Sequence, residues 1–144
     1  MAHAESSIII ERPAGEVYDF LLDGTNNPRW RKGVLDIGKV PGTPAGVGAA
    51  FKQGMKGPTG RIDADYKVVE CVPGALIRFE VTAGPARPTG TFKLEKKGNS
   101  TSVTFVLDFQ PKGLAKLMDP MITRQMQSEV AALMDLKSFL EAKK

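Results

Sequence analysis

GLAKLMDPMITRQMQSEVAALMDLKSFLEAKK, the stretch from Gly113 to Lys144, decides the fold of this chain. Apolar side chains recur in it every three or four residues, which places them on one face of an α-helix. The members of this stripe are Leu114, Leu117, Met118, Met121, Ile122, Leu133, Leu136, Phe139 and Leu140. The spacing predicts one long amphipathic helix that must bury a single face against the rest of the protein.

Before this helix, the sequence alternates between apolar and polar residues in runs that end at Gly, Pro and Asn. Such runs predict strands, and they cover residues 34–40, 48–55, 61–71, 76–82, 89–97 and 101–109. Because short turns join consecutive runs, the strands should pair in antiparallel order. A curved antiparallel sheet that buries one face against a single helix leaves room between the two layers. The pattern therefore predicts a cavity.

The N-terminal part supplies one more strand and two short helices. The β-branched run Ser6–Arg12 reads as a strand. Pro13 ends it and suits the first turn of a helix over Ala14–Leu22. Asn26 or Asn27 can cap a second helix that has Pro28 in its first turn and contains Trp30. The expected fold class is α+β, with about seven strands and three helices.

Composition narrows the classes of function. At 144 residues, the chain is expected to form one domain over residues 1–144. Its net charge of +4 is weak evidence for a nucleic-acid partner, and none is predicted. Cys71 is the only cysteine and His3 the only histidine, which disfavours a zinc site and a histidine-containing catalytic triad. No metal and no cofactor are predicted.

Location follows from what the sequence lacks. No apolar run approaches the roughly 18 residues of a membrane span. The N-terminus shows no basic segment followed by an apolar one, so no signal peptide is predicted. The expected location is cytoplasmic.

Several segments resemble those of the START-like (SRPBCC) superfamily of helix-grip domains, in its polyketide cyclase/dehydrase-like branch. The segments are IERPAGEVYDFLLD from Ile10, NNPRW from Asn26, VECVPGALIRFEV from Val69, GTFKLEKKGNSTSVTFVLDF from Gly90, and the terminal helix. The resemblance covers nearly the whole chain. It implies a seven-stranded curved antiparallel sheet wrapped around a long C-terminal helix, with two short helices after the first strand and a ligand cavity inside. Members bind lipids, polyketides, hormones and other apolar molecules, and the resemblance carries no catalytic residues over to this chain.

Two polar residues interrupt the apolar stripe of the terminal helix. Gln125 and Glu129 lie four residues apart, near the centre of the stripe at ~100° per residue. A buried carboxylate needs compensation, because its desolvation costs several kcal/mol. One interpretation makes both residues polar contacts for a ligand in an apolar pocket. The alternatives are that Glu129 pairs with a lysine or arginine near the rim, or that the helix bends there.

Other candidate pocket residues come from the apolar faces of the elements. Methionine adapts to irregular apolar shapes, and an aromatic residue with a hydroxyl can hydrogen-bond a ligand. Each candidate is also ordinary core, and the sequence leaves that alternative open. The candidates are Phe51, Gln53, Met55, Tyr66, Phe79, Phe92, Phe105, Met118, Met121 and Ile122.

The segment around Trp30 has two interpretations. Trp30 packs under the helical cap, which is the favoured interpretation, or it gates the mouth of the cavity. Arg29, Arg31 and Lys32 surround it as the densest basic cluster, which would suit an acidic group of a ligand, a membrane or RNA. Three charges without interleaved aromatic residues are weak evidence for any of these partners.

Three functions remain open. The first is a binding or carrier protein for a small hydrophobic molecule such as a lipid, a polyketide or an aromatic metabolite. The second is an enzyme of the cyclase or dehydratase type, in which Glu129, Gln125 or Tyr66 would handle protons. The third is a protein-interaction module on the same fold.

Overall fold

The protein is described here from a computed structural model, which covers residues 2–57, 59–84, 87–109 and 119–142. The strands are β1 Ala2–Ile10, β2 Val34–Lys39, β3 Ala50–Gly57, β4 Gly60–Asp63, β5 Tyr66–Val72, β6 Leu76–Val81, β7 Thr89–Lys97 and β8 Ser100–Phe109. The α-helices are α1 Ala14–Leu22, α2 Asp119–Ala131 and α3 Leu133–Ala142, and a 3₁₀ helix spans Gly24–Arg29.

Within the described residues, the strands form one antiparallel sheet. Seven of them follow the order β1-β8-β7-β6-β5-β3-β2, and β4 pairs with β3 beside this path. The sheet curls around the C-terminal helical segment, which confirms the predicted helix-grip architecture. Inward residues of the strands and the buried stripe of α2 and α3 form one apolar core.

The predicted strand over residues 61–71 is divided into β4 and β5. Ala64 and Asp65 interrupt it, and the Asp65 carboxylate accepts a hydrogen bond from the backbone N–H of Gln53 at 3.1 Å. The backbone N–H of Ala64 donates to the carbonyl of Gln53 at 2.8 Å. The Asp65 carboxylate thus replaces a backbone acceptor in the pairing with β3. Inward-facing positions still alternate with outward-facing ones from Ala64 to Tyr66.

The first strand begins earlier than predicted. The sequence predicted this strand over Ser6–Arg12, but β1 spans Ala2–Ile10 and pairs along its length with β8. His3 lies opposite Asp108, and the His3 Nδ1 is 2.5 Å from the carboxylate of Asp108. This cross-strand contact extends the ladder to the start of the described chain.

The two short helices lie where the sequence placed them, with different details. α1 follows Pro13 as predicted. The second is a 3₁₀ helix capped by Asp23, whose carboxylate accepts from the backbone N–H of Thr25 at 3.1 Å. The predicted cap at Asn26 or Asn27 is therefore wrong, and Trp30 follows the helix instead of lying inside it. Asp23 forms the cap because its carboxylate lies close enough to accept from the first free backbone N–H groups of the 3₁₀ helix.

The C-terminal segment is helical from Asp119 to Ala142, but it is not one continuous helix. It breaks at Ala132, whose N–H donates to the carbonyl of Glu129 three residues back, at 3.1 Å. The predicted start at Gly113 lies outside the described residues. Buried side chains continue across the break as one stripe formed by Met126, Val130, Leu133, Leu136 and Leu140. No helix of the described chain is long and apolar enough to cross a membrane.

Candidate functional site

A row of aromatic rings covers the inward face of the sheet. Phe51, Tyr66, Phe79, Phe92 and Phe105 come from five neighbouring strands, β3, β5, β6, β7 and β8. Successive ring centroids lie 5.1, 5.1, 6.0 and 4.4 Å apart along this row, so each ring touches the next. Contacts at these distances add specific aromatic attraction to simple burial. All five residues, predicted as pocket or core, lie together on one surface.

One close approach makes this row possible. Gly90 of β7 lies opposite Phe79 of β6, and the Phe79 ring covers the Gly90 backbone. A Cβ at position 90 would stand 2.1 Å from the ring. Gly90 is therefore required for the ring to lie flat on the neighbouring strand.

Trp30 closes one side of the row. It is buried, and its ring lies 6.0 Å from Phe92 and 6.1 Å from Phe105 in edge-on geometry. The prediction that Trp30 packs beneath the cap is confirmed.

A buried polar cluster lies at the other end of the row. Asn27, from the 3₁₀ helix, donates through Nδ2 to the Gln53 Oε1 at 3.0 Å and to the Tyr66 hydroxyl at 3.1 Å. Burial raises the pKa of Tyr66 to about 12, so the hydroxyl keeps its proton at neutral pH. The hydroxyl accepts from Asn27, and within the described residues no acceptor is found for its own proton. Tyr66 is therefore a neutral donor facing the interior.

An ion pair joins the cap to the C-terminal helix. The Nη2 of Arg31 is 2.6 Å from the Glu129 Oε2, and the two side chains are 7% and 13% exposed. The Arg31 guanidinium also lies 5.8 Å from the ring centroids of Trp30 and Phe105. Of the interpretations offered for Glu129, the structure shows pairing with an arginine.

Two buried donors of this region lack a partner within the described part of the chain. They are the Nε–H of Arg31 and the Nε1–H of Trp30. A buried donor without an acceptor costs about 1–3 kcal/mol. Together with the Tyr66 hydroxyl, these groups give the interior an excess of donors over acceptors.

The described residues border a small space beneath the cap. A cavity of about 10 Å³ lies between the cap and the sheet, bordered by Leu21, Asn27, Arg31, Tyr66, Val68 and Phe79 among others. This space has room for about one water molecule. Beside this space, the described side chains of the aromatic row and of the helical stripe belong to one buried apolar cluster. The predicted ligand cavity stays a prediction.

A larger space lies outside the ion pair. An open groove of about 510 Å³ separates the helical segment from the ends of β2 and β3. Lys32, Gly33 and Lys56 form one wall, and Gln125, Ser128 and Ala132 form part of the other. Glu129 borders this groove, whereas its partner Arg31 borders the inner cavity. The ion pair therefore joins the lining of one space to the lining of the other.

The remaining predicted site residues divide into three groups. Met55 is buried in a smaller cluster with Val34 and Ala64, and its sulfur lies 3.9 Å from the Arg31 Nη2. Gln125 is exposed on the groove, so its predicted place at the centre of the apolar stripe is wrong. The stripe is centred on Met126 and Val130, one position further along the helix. The side chains of Met118, Met121 and Ile122 lie outside the described part of the structure.

Sequence reasoning missed Asn27 and Arg31 as interior residues. Asn27 was interpreted as a helix cap, and Arg31 as part of an exposed basic cluster. A signal for Arg31 existed, because a carboxylate within the apolar stripe at Glu129 required a buried cation. Nothing in the local sequence distinguished Arg31 from Lys32, which is exposed.

Side chains that could bind a metal ion are not clustered in the described residues. These residues contain no group of three or more His, Cys, Asp or Glu side chains arranged to hold a metal ion.

Comparison with solved structures supports the fold. A START superfamily protein from Mycobacterium smegmatis matches with a TM-score of 0.84 at 14% identity, and each chain is covered fully. A protein from Thermus thermophilus matches with a TM-score of 0.81 at 18% identity over 99% of both chains. The di-domain ARO/CYC protein BexL from the BE-7585A biosynthetic pathway matches with a TM-score of 0.68 at 25% identity. That match covers 98% of this chain but only 47% of BexL.

Comparison with protein families gives the assignment. A search of the curated proteins finds no match. Residues 1–136 match the family described as polyketide cyclase / dehydrase and lipid transport. The chain belongs to this polyketide cyclase / dehydrase and lipid transport family, whose START-like fold it shares.

Proposed function

We propose that this protein binds a small hydrophobic ligand between the aromatic face of the sheet and the C-terminal helical segment. The observation that carries the proposal is a buried aromatic surface that contains donors without acceptors. The Nε–H of Arg31 has no partner among the described residues, and the Tyr66 proton has none either. Natural interiors rarely leave such groups unpaired unless a water molecule or a ligand completes them.

Between the described residues, a ligand needs more space than the inner cavity provides. A small-molecule site typically occupies about 300–1,000 Å³, whereas the inner cavity measures about 10 Å³. The groove of about 510 Å³ is linked to it by the Arg31–Glu129 pair, because Arg31 borders the cavity and Glu129 borders the groove. Outward movement of the helical segment on the groove side would join the two spaces. The break at Ala132 supplies a position where such movement needs few backbone hydrogen bonds to change.

The family description is consistent with this proposal, because it names lipid transport beside polyketide cyclase and dehydrase activity. It does not specify a ligand for this chain. The chemistry of the interior instead indicates a molecule with an apolar body and at least one hydrogen-bond acceptor.

Two measurements test the proposal. Native mass spectrometry of the protein as purified from cells should show an added mass, and denaturing extraction should release an apolar small molecule. Titration with the neutral dye Nile red should then give saturable binding. Val68 borders the cavity, so Val68→Phe should weaken dye binding at least about tenfold by filling it.

Val106→Phe is the matched control, because Val106 is equally apolar and buried but alternates to the other face of β8 from Phe105. It should leave dye affinity unchanged. No bound molecule together with no saturable dye binding would contradict the proposal. Equal effects of the two substitutions would place the binding site elsewhere.

A second candidate is a cyclase or dehydratase of the family. It is favoured by the neutral Tyr66 hydroxyl, because its raised pKa keeps it a hydrogen-bond donor to a substrate carbonyl over the whole physiological pH range. Its test is proton–deuterium exchange at carbon 3 of 2,4-nonanedione, between the two carbonyl groups, followed by NMR. An enzyme of this type should give exchange faster than in buffer, and Tyr66→Phe should lose that acceleration. Equal rates with and without protein would contradict it for this substrate class.

A further inference from the structure

The charges of Arg31 and Glu129 neutralise each other, but the hydrogen-bond donors of the pair are not all satisfied. Glu129 lies 2.6 Å from the Nη2 of Arg31 and neutralises it inside the protein. The Nε–H of the same guanidinium remains without a partner among the described residues. The site therefore lacks an acceptor, and it does not lack a negative charge.

We propose that Glu129 sets the charge of the ligand: the interior selects molecules with a neutral oxygen acceptor, such as a ketone, ester or alcohol, and rejects carboxylates. This inference rests on the proposed function and deepens it by naming the ligand's polar group. A carbonyl oxygen has two lone pairs, so it can accept from the Arg31 Nε–H and from the Tyr66 hydroxyl. Both residues border a cavity that has the size of about one water molecule.

A carboxylate ligand would change the net charge of the site. Beside an arginine already paired with Glu129, a second buried carboxylate leaves one negative charge without a counter-ion. An uncompensated buried charge is strongly unfavourable. Lys32 and Lys56 border the groove, but they are exposed, so solvent and salt screen their attraction.

The experiment compares two probes of equal chain length, methyl octanoate and octanoate, at pH 7.5. Trp30 is the single tryptophan and lies against the Arg31 guanidinium, so its fluorescence reports binding in the interior. Wild type should bind the ester at least about tenfold more tightly than the acid. Glu129→Gln removes the internal counter-ion, and it should reverse this order because octanoate then supplies the missing charge.

Glu95→Gln is the matched control, because Glu95 is highly exposed on β7 and borders neither the inner cavity nor the groove. It should keep the preference of wild type. If Glu129→Gln does not fold, the double variant Arg31→Met/Glu129→Met removes the pair together. That variant should lose about tenfold in ester affinity and keep its affinity for the hydrocarbon dye 1,6-diphenylhexatriene, which has no oxygen acceptor.

Equal binding of ester and acid by wild type would overturn the inference, and so would an unchanged preference in Glu129→Gln. Absence of binding by both probes would overturn it as well. Nile red then separates the two claims. Saturable dye binding leaves the proposed function standing, and its absence removes both.

Discussion

The Arg31–Glu129 pair allows the sharpest prediction about stability. Glu129→Leu removes the counter-ion from a guanidinium that is only 7% exposed. Breaking a buried ion pair by removing one partner costs about 3–5 kcal/mol. For a chain of this size, each kcal/mol lowers Tm by about 2–4 °C. Glu129→Leu is therefore expected to lower Tm by roughly 6–20 °C.

The cost should disappear when both partners are removed. Replacing a buried ion pair by apolar residues of similar size is often neutral or stabilising. Arg31→Leu/Glu129→Leu should therefore recover most of the free energy of unfolding that either single variant loses. Urea denaturation of wild type, both single variants and the double variant completes a double-mutant cycle.

Glu95→Leu serves as the surface control and should change the free energy of unfolding by about 0.5 kcal/mol or less. The reasoning would be refuted if both single substitutions at the ion pair cost less than about 1 kcal/mol, with no coupling between them. That result would mean that water reaches the pair, and that it behaves as an exposed salt bridge.

Two further predictions concern the sheet. Gly90→Ala should destabilise the protein by about 1–3 kcal/mol in urea denaturation, because the new Cβ would meet the Phe79 ring. Gly38→Ala is the control and should not destabilise it, because nothing lies within 4 Å of a Cβ there. Equal effects of the two substitutions would contradict the packing of Phe79 on Gly90. The pKa of His3 is raised above 6.5, chiefly by the hydrogen bond with Asp108. The stabilisation that this contact gives the fold is therefore fully present below pH 6.5 and is lost as the pH rises through the raised pKa. His3→Gln should remove that part of the pH dependence when unfolding at pH 5.5 and pH 8.5 is compared, and an unchanged pH profile would show that the contact is absent in solution.

The architecture was predictable because each strand carries its own signal. Alternation placed Tyr66 and Phe79 on the inward face, and the structure confirms both. Turn residues fixed the boundaries within a few positions. The division between β4 and β5 was not predictable, since it depends on the Asp65 carboxylate bonding a neighbouring strand.

The site was predictable only in part, because long-range partners decide it. A helical wheel places Glu129 within the buried stripe but cannot say that Arg31, nearly a hundred residues earlier, supplies the counter-ion. It misplaced Gln125 because a single wheel assumes one continuous helix, whereas the break at Ala132 shifts α2 relative to α3. Likewise, residue types cannot show whether aromatic rings leave a cavity or close it.

The central claim is that an apolar ligand enters the space between the sheet and the helical segment. The most direct measurement is a set of intermolecular nuclear Overhauser effects between methyl octanoate and isotope-labelled protein. The account predicts contacts from the probe to the ring protons of Tyr66, Phe92 and Phe105. Contacts confined to groove residues such as Lys32 and Ser128 would contradict it, because the ligand would then lie outside the Arg31–Glu129 pair.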